Sequence, residues 1–125
     1  MSRQPPSTRV LRGSLALSVH EFRIAEAKER LEAGDGGYEI VHESPWLEIG
    51  VYVLIAPEPD RQQPHTDDEV YIVLEGSGVL EVEGKSVSVQ EGSAIFVEAG
   101  APHQFRSYEH LSVLVIFDRR PGQPA

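Results

Sequence analysis

The chain has 125 residues, enough for one domain with a sizeable core and too few for two. It contains no cysteine, which excludes disulfides, thiolate metal sites and a cysteine nucleophile and leaves histidine and carboxylate chemistry. With 20 acidic against 11 basic residues the formal net charge is -9, which opposes phosphate binding, leaves no basic stripe and speaks against nucleic acid as a partner.

Residues 1–17 read as an N-terminal arm, 18–120 as the domain and 121–125 as a short tail. Met1 to Gly13 has arginines and prolines but no apolar h-region, and no stretch approaches the roughly 18 apolar residues of a membrane span, so a cytoplasmic protein with no membrane partner is expected. Leu11, Leu15, Ala16 and Leu17 form a short apolar patch suited to an added edge strand. Ser18-Val19-His20-Glu21 has the pattern of a capping box, and Ile24, Ala27 and Leu31 recur at helical spacing. Lys28 and Arg30 fall where the dipole favours cations, and Gly34-Asp35-Gly36-Gly37 supplies a stop, so the pattern predicts one helix from Ser18 to about Ala33.

From Tyr38 onward short β-rich runs are separated by turn residues. Strands are predicted at Tyr38 to Glu43, Leu47 to Ile55, Val70 to Leu74, Val79 to Glu83, Ser86 to Gln90, Ala94 to Val97, His103 to Arg106 and Leu111 to Phe117. Leu80 and Val82 alternate with Glu81 and Glu83, and Val87 and Val89 with Ser86 and Ser88, which predicts a hairpin across Gly84-Lys85 with one buried face. Many short strands and one helix imply an all-β barrel or sandwich; periodicity alone does not separate a jelly roll from an immunoglobulin-like sandwich.

The chemistry gathers around His65 and Glu69. The run after Glu69, Val70-Tyr71-Ile72-Val73-Leu74, is too apolar for a surface loop, so the carboxylate enters a core. A buried carboxylate costs several kcal/mol unless a cation or a hydrogen-bond network compensates it. His65 and, past a second glycine-rich turn, His103 provide imidazoles for a metal. Asp67 and Asp68 read as turn formers, Asp67 being the better placed to hydrogen-bond an imidazole. His20 and His42 read as structural and His110 as exposed in a turn, and none of the three is taken as a ligand. Strand alternation puts Tyr71 and Val73 on the face of Glu69 and Phe105 on that of His103, which predicts an apolar substrate pocket holding one phenol. Such a pocket suits a small organic molecule with a chelating edge, for example an enol, catechol or keto acid. Trp46 is open to two roles, capping the barrel mouth or packing under the helix.

These residues resemble the cupin superfamily, in particular its small single-domain bacterial members of the type-2 conserved-barrel kind. The first cupin motif reads G-x5-H-x-H-x(3 or 4)-E-x6-G, and His65, Glu69 and Gly76 match it in type and interval. The second reads G-x5-P-x-G-x2-H-x3-N, matched by Gly92, Gly100 and His103. Pro57, Gln63, Glu98 and Ser107 stand where the motifs have glycine, histidine, proline and asparagine. The resemblance implies a double-stranded β-helix, the cupin-like jelly roll, with one N-terminal helix. It also implies one divalent metal ion (Fe, Mn, Ni, Zn or Co) held by His65, Glu69 and His103, with Gln63 as a fourth or water-mediated ligand. Two histidines and one carboxylate are similar to the facial triad of non-heme iron oxygenases, which leaves about three open positions. Two functions are then expected: a metal-dependent oxygenase or isomerase acting on a small organic substrate, or a non-catalytic small-ligand or metal-binding module serving as sensor or accessory subunit. No catalytic residue is assigned. A homodimer is expected, because jelly rolls have sheet edges that need covering.

Overall fold

In the computed structural model residues 18–63 and 66–119 are described. The elements in chain order are α1 (Ile24–Ala33), β1 (Gly37–Glu43), β2 (Leu47–Ile55), β3 (Glu69–Val82), β4 (Lys85–Gln90), β5 (Ala94–Val97), β6 (His103–Arg106) and β7 (His110–Asp118). All strand pairs are antiparallel. The first half of β3 pairs with β7 and β5, continuing a sheet that runs β1-β2-β7-β3, while its second half pairs with β4 and β6. One face of each half meets the other across a core that includes Tyr71, Val73, Leu80, Phe105, Leu111 and Val113, which is the expected all-β jelly roll.

One long strand stands where the sequence predicts two. Val70 to Leu74 and Val79 to Glu83 merge into the 14-residue β3, and Gly76-Ser77-Gly78 is not a turn. Gly76 has φ 91°, a register shift falls between Val73 and Glu75, and a Cβ on Gly76 would overlap the carbonyl oxygen of His110. The missing side chain thus lets β3 bend while pressed against β7, so that one strand serves both sheets.

The helix starts at Ile24 rather than Ser18. Arg23 is its N-cap and makes no side-chain cap hydrogen bond. Ser18 Oγ instead lies 3.2 Å from Nε2 of His20, so the capping box does not form. Phe22 stacks on His42 of β1 with centroids 5.8 Å apart and His20 packs on the same ring at 5.9 Å, contacts that tie residues 18–23 to the sheet outside the helix. Ala27 is fully buried against Val51 and Val53, on the β2 face opposite the barrel core. Lys28 bonds Glu32 at 2.8 Å and Glu75 at 2.5 Å, and His110 lies 3.0 Å from Glu32. His110 therefore opens β7, partly buried against the helix, and is not in an exposed turn. No described helix is long and apolar enough to cross a membrane.

Candidate functional site

Register sets the site. Glu69 opens β3 opposite Phe117 of β7, which in turn faces Glu48 of β2, so the two acidic residues share a cross-strand row, their backbones about 10 Å apart. One row further in, Tyr71 faces Val115, and Val115 faces Gly50. A Cβ on Gly50 would overlap the ring of Tyr38, so the glycine makes room for that phenol over the inner face. A cavity of about 420 Å³ results, bounded by Tyr38, Tyr52, Tyr71, Phe117 and Val115, with Glu48, Glu69, Asp67, Arg61 and Gln62 as its polar lining. Val73 and Phe105 lie in the core with Tyr71 rather than on the cavity wall, Val73 because the strand carries it two residues deeper than Tyr71.

At the deep end Glu69 and His103 come together. Nε2 of His103 is 3.1 Å from Oε1 of Glu69, with both side chains almost fully buried, yet neither carboxylate oxygen accepts a well-aligned hydrogen bond among the described residues. Nδ1 of His103 donates to the carbonyl of Ala101 at 2.7 Å, so in the neutral ring Nε2 carries the lone pair. Nε2 is also 2.9 Å from the Tyr71 hydroxyl, but that hydroxyl donates to Oε1 of Gln62 at 2.7 Å and its one proton is committed. Three electron-rich atoms, Nε2, Oε1 and the phenol oxygen, thus converge. Such a trio demands a cation, either a proton on His103 or a metal, and the donor set of imidazole and carboxylate fits a first-row divalent ion. The pull on a proton is consistent with this: burial lowers the basicity of His103, but the Glu69 carboxylate and the Ala101 carbonyl outweigh it and hold the ring above its usual value. Burial first, and then the charge of Glu69, push Tyr71 far above the ordinary phenol range, so it stays protonated.

His65 lies outside the described residues. Gln63 is exposed and lines a second cleft together with His103 and Pro102, whereas the neighbouring Gln62 is the amide that reaches Tyr71. Asp68 is a staple: its Oδ1 accepts the Ala99 N–H at 2.8 Å and its carbonyl accepts that of Asp118. Asp67 sits half-buried on the cavity wall. Trp46 is 55 % exposed in the β1–β2 turn and neither lines the cavity nor packs under the helix.

The residue that sequence reasoning missed is Asp60. It is 2 % exposed and accepts four hydrogen bonds: from the Tyr52 hydroxyl at 2.6 Å and the Gln62 N–H at 3.1 Å on Oδ1, and from Gln62 Nε2 at 2.6 Å and the Phe105 N–H at 2.8 Å on Oδ2. Asp60 thereby ties the loop before Glu69 to β6 and aims Gln62 at Tyr71. Its surroundings in sequence, Pro57-Glu58-Pro59-Asp60-Arg61, look like any polar turn, and only the partners brought by β2 and β6 distinguish it.

Residues 51–117 match the family model described as a cupin domain. An uncharacterised protein of Streptomyces coelicolor, SCO3923, is 37 % identical over 97 residues, covering 77 % of this chain and 92 % of its own. Among solved structures, the TT1209 protein of Thermus thermophilus superposes with a TM-score of 0.63 at 29 % identity, over 75 % of this chain and 95 % of that one. A cupin superfamily protein of Desulfitobacterium hafniense does so with a TM-score of 0.62 at 15 % identity, over 68 % and 78 %, a likeness of fold alone.

Proposed function

We propose, from the premise that the chain belongs to the cupin domain family, that it is a divalent-metal-binding cupin acting on a small organic molecule held in the cavity beside Glu69. The observation that carries this reading is the buried Glu69 carboxylate, unmatched by well-aligned donors among the described residues and facing the lone-pair nitrogen of a tautomer-fixed His103. Glu69 and His103 would hold the ion together with His65, whose inclusion rests on its spacing from Glu69, and Gln63 is the proposed fourth or water-mediated ligand. When bound, the ion supplies Lewis acidity toward an oxygen of the substrate or activates dioxygen, the chemistry of an isomerase or oxygenase. The chain's own part is to present apolar walls with Phe117 and Val115, to hold His103 in one tautomer through Ala101, and to keep a protonated phenol, Tyr71, within hydrogen-bond reach of the same nitrogen.

A non-catalytic ligand- or metal-holding module is the second reading. It is favoured by the pinned state of Tyr71, whose proton is given to Gln62, so that no free general acid or base faces the cavity from it. Metal analysis of protein purified without added metal tests both. The expected result is close to one divalent ion per chain, most of it lost in His65→Ala and in His103→Ala. A wild-type protein that stays metal-free after incubation with Fe, Mn, Ni, Zn and Co would overturn the site, and equal retention in both variants would move it elsewhere.

A further inference from the structure

The cavity wall away from His103 carries an excess of negative charge. Glu48 and Asp67 line it in addition to Glu69, and Arg61 is its one cation among the described lining residues. Arg61 is three-quarters exposed and lies 3.5 Å from Glu58. Arg119, behind Glu48, divides its guanidinium between Glu43 at 2.6 Å and Glu48 at 3.2 Å. Five carboxylates therefore surround two guanidiniums, and even a divalent ion on Glu69 leaves the neighbourhood acidic.

Hydrogen-bond polarity runs the same way. Tyr38 gives its proton to Glu48 at 2.7 Å, Tyr52 to Asp60 at 2.6 Å and Tyr71 to Gln62, whose own amide N–H is bound to Asp60. What the three phenols offer an occupant is ring surface and oxygen lone pairs. A carboxylate or phosphate placed there would meet acceptors and, among the described lining side chains, a single cationic donor, the three-quarters exposed Arg61 that Glu58 already holds, so a keto acid, one of the substrate types anticipated from the sequence, fits poorly. An ammonium would meet carboxylates and aromatic rings, the pairing that stabilises cations in desolvated sites. The deep end adds a further carboxylate, since Glu69 lines the cavity almost fully buried, with Nε2 of His103 at 3.1 Å.

We infer that this cavity binds a small organic cation, an amine or quaternary ammonium, with its charged head between Tyr38, Tyr52 and the carboxylates of Glu48 and Asp67. The inference rests on the proposed function in taking this cavity as the ligand site, and it names the class of occupant. Its volume, about 420 Å³, is at the small end of ligand pockets.

The test is calorimetric titration of the whole protein with choline, its neutral carbon isostere neohexanol and the anion tert-butylacetate, in chelator and again with saturating Zn. Metal occupancy is followed separately by an indicator dye. Choline is expected to bind at least about ten-fold tighter than neohexanol, and tert-butylacetate more weakly than either. Asp67→Asn, half-buried on the cavity wall, and Glu48→Gln, which keeps an acceptor for Tyr38, should each reduce the choline preference about three-fold and leave neohexanol unchanged. Equal affinity for choline and neohexanol, tighter binding of the anion, or no heat with any of the three overturns the inference. A choline preference that persists while the dye reports no metal sinks the metal reading and leaves this one standing; metal binding without the preference does the reverse.

Discussion

Replacing Asp60 by Asn is expected to loosen the loop that aims Gln62 at Tyr71, at a cost that follows from counting donors. Each carboxylate oxygen accepts two hydrogen bonds, Oδ1 from Tyr52 and the Gln62 N–H, Oδ2 from Gln62 Nε2 and the Phe105 N–H. An amide nitrogen at the Oδ2 position would confront two N–H donors. At the Oδ1 position it can donate to a rotated Tyr52 hydroxyl and leaves only the Gln62 N–H unpaired, so the side chain settles that way. One part-buried donor is orphaned and three charge-assisted bonds become ordinary ones, a loss of about 2 kcal/mol. With a urea slope of about 1–2 kcal/mol/M for a domain of this size, the unfolding midpoint should fall by about 1–2 M at unchanged slope. Asp60→Ala, which orphans all four donors, should cost more, about 3 kcal/mol or above. Urea unfolding followed by far-UV circular dichroism in chelator measures both. An Asp60→Asn midpoint within about 0.3 M of wild type would refute the reasoning, because a buried carboxylate serving four donors cannot lose its charge at so small a cost.

Glu69→Gln should bind metal less tightly yet, at a pH high enough for His103 to be neutral, be equally or more stable without it, since it deletes a buried charge that then only the ion compensates; thermal unfolding with and without chelator at that pH checks this, and a chelator shift no larger in wild type than in the variant would remove Glu69 from the coordination sphere. Gly76→Ala should destabilise by about 3 kcal/mol or prevent folding, because φ 91° disfavours a side chain and the new Cβ meets the His110 carbonyl; a urea midpoint unchanged from wild type would mean that β3 does not bend there. Gln63→His should tighten metal binding, an imidazole being a stronger donor than an amide, as read by competition with an indicator dye; unchanged affinity would place residue 63 away from the ion and leave the exposed cleft it shares with His103 outside the site.

Much of the architecture was legible in the sequence because it depends on local periodicity. Leu47–Ile55, Ala94–Val97 and His103–Arg106 begin and end where alternation puts them, and the intervals from Glu69 to Gly76 and from Gly92 to His103 mark the family without any coordinates. Even the burial of Glu69 follows from the apolar run behind it. What the sequence could not decide depends on partners distant along the chain. Gly76 reads as a turn until β7 is seen to press on it, and Ser18 reads as a cap until Phe22 and His20 are seen to pack on His42 and the helix is seen to begin at Ile24. Asp60 is one polar residue in a polar loop until Tyr52 and Phe105 arrive from separate strands with their donors. The cavity's acidic, acceptor-rich character is of the same kind: it exists only because antiparallel register sets Glu48 and Glu69 on one row and Gly50 admits Tyr38 beside them. Periodicity is a property of neighbours in the chain, and a site's charge and hydrogen-bond polarity are sums over neighbours in space.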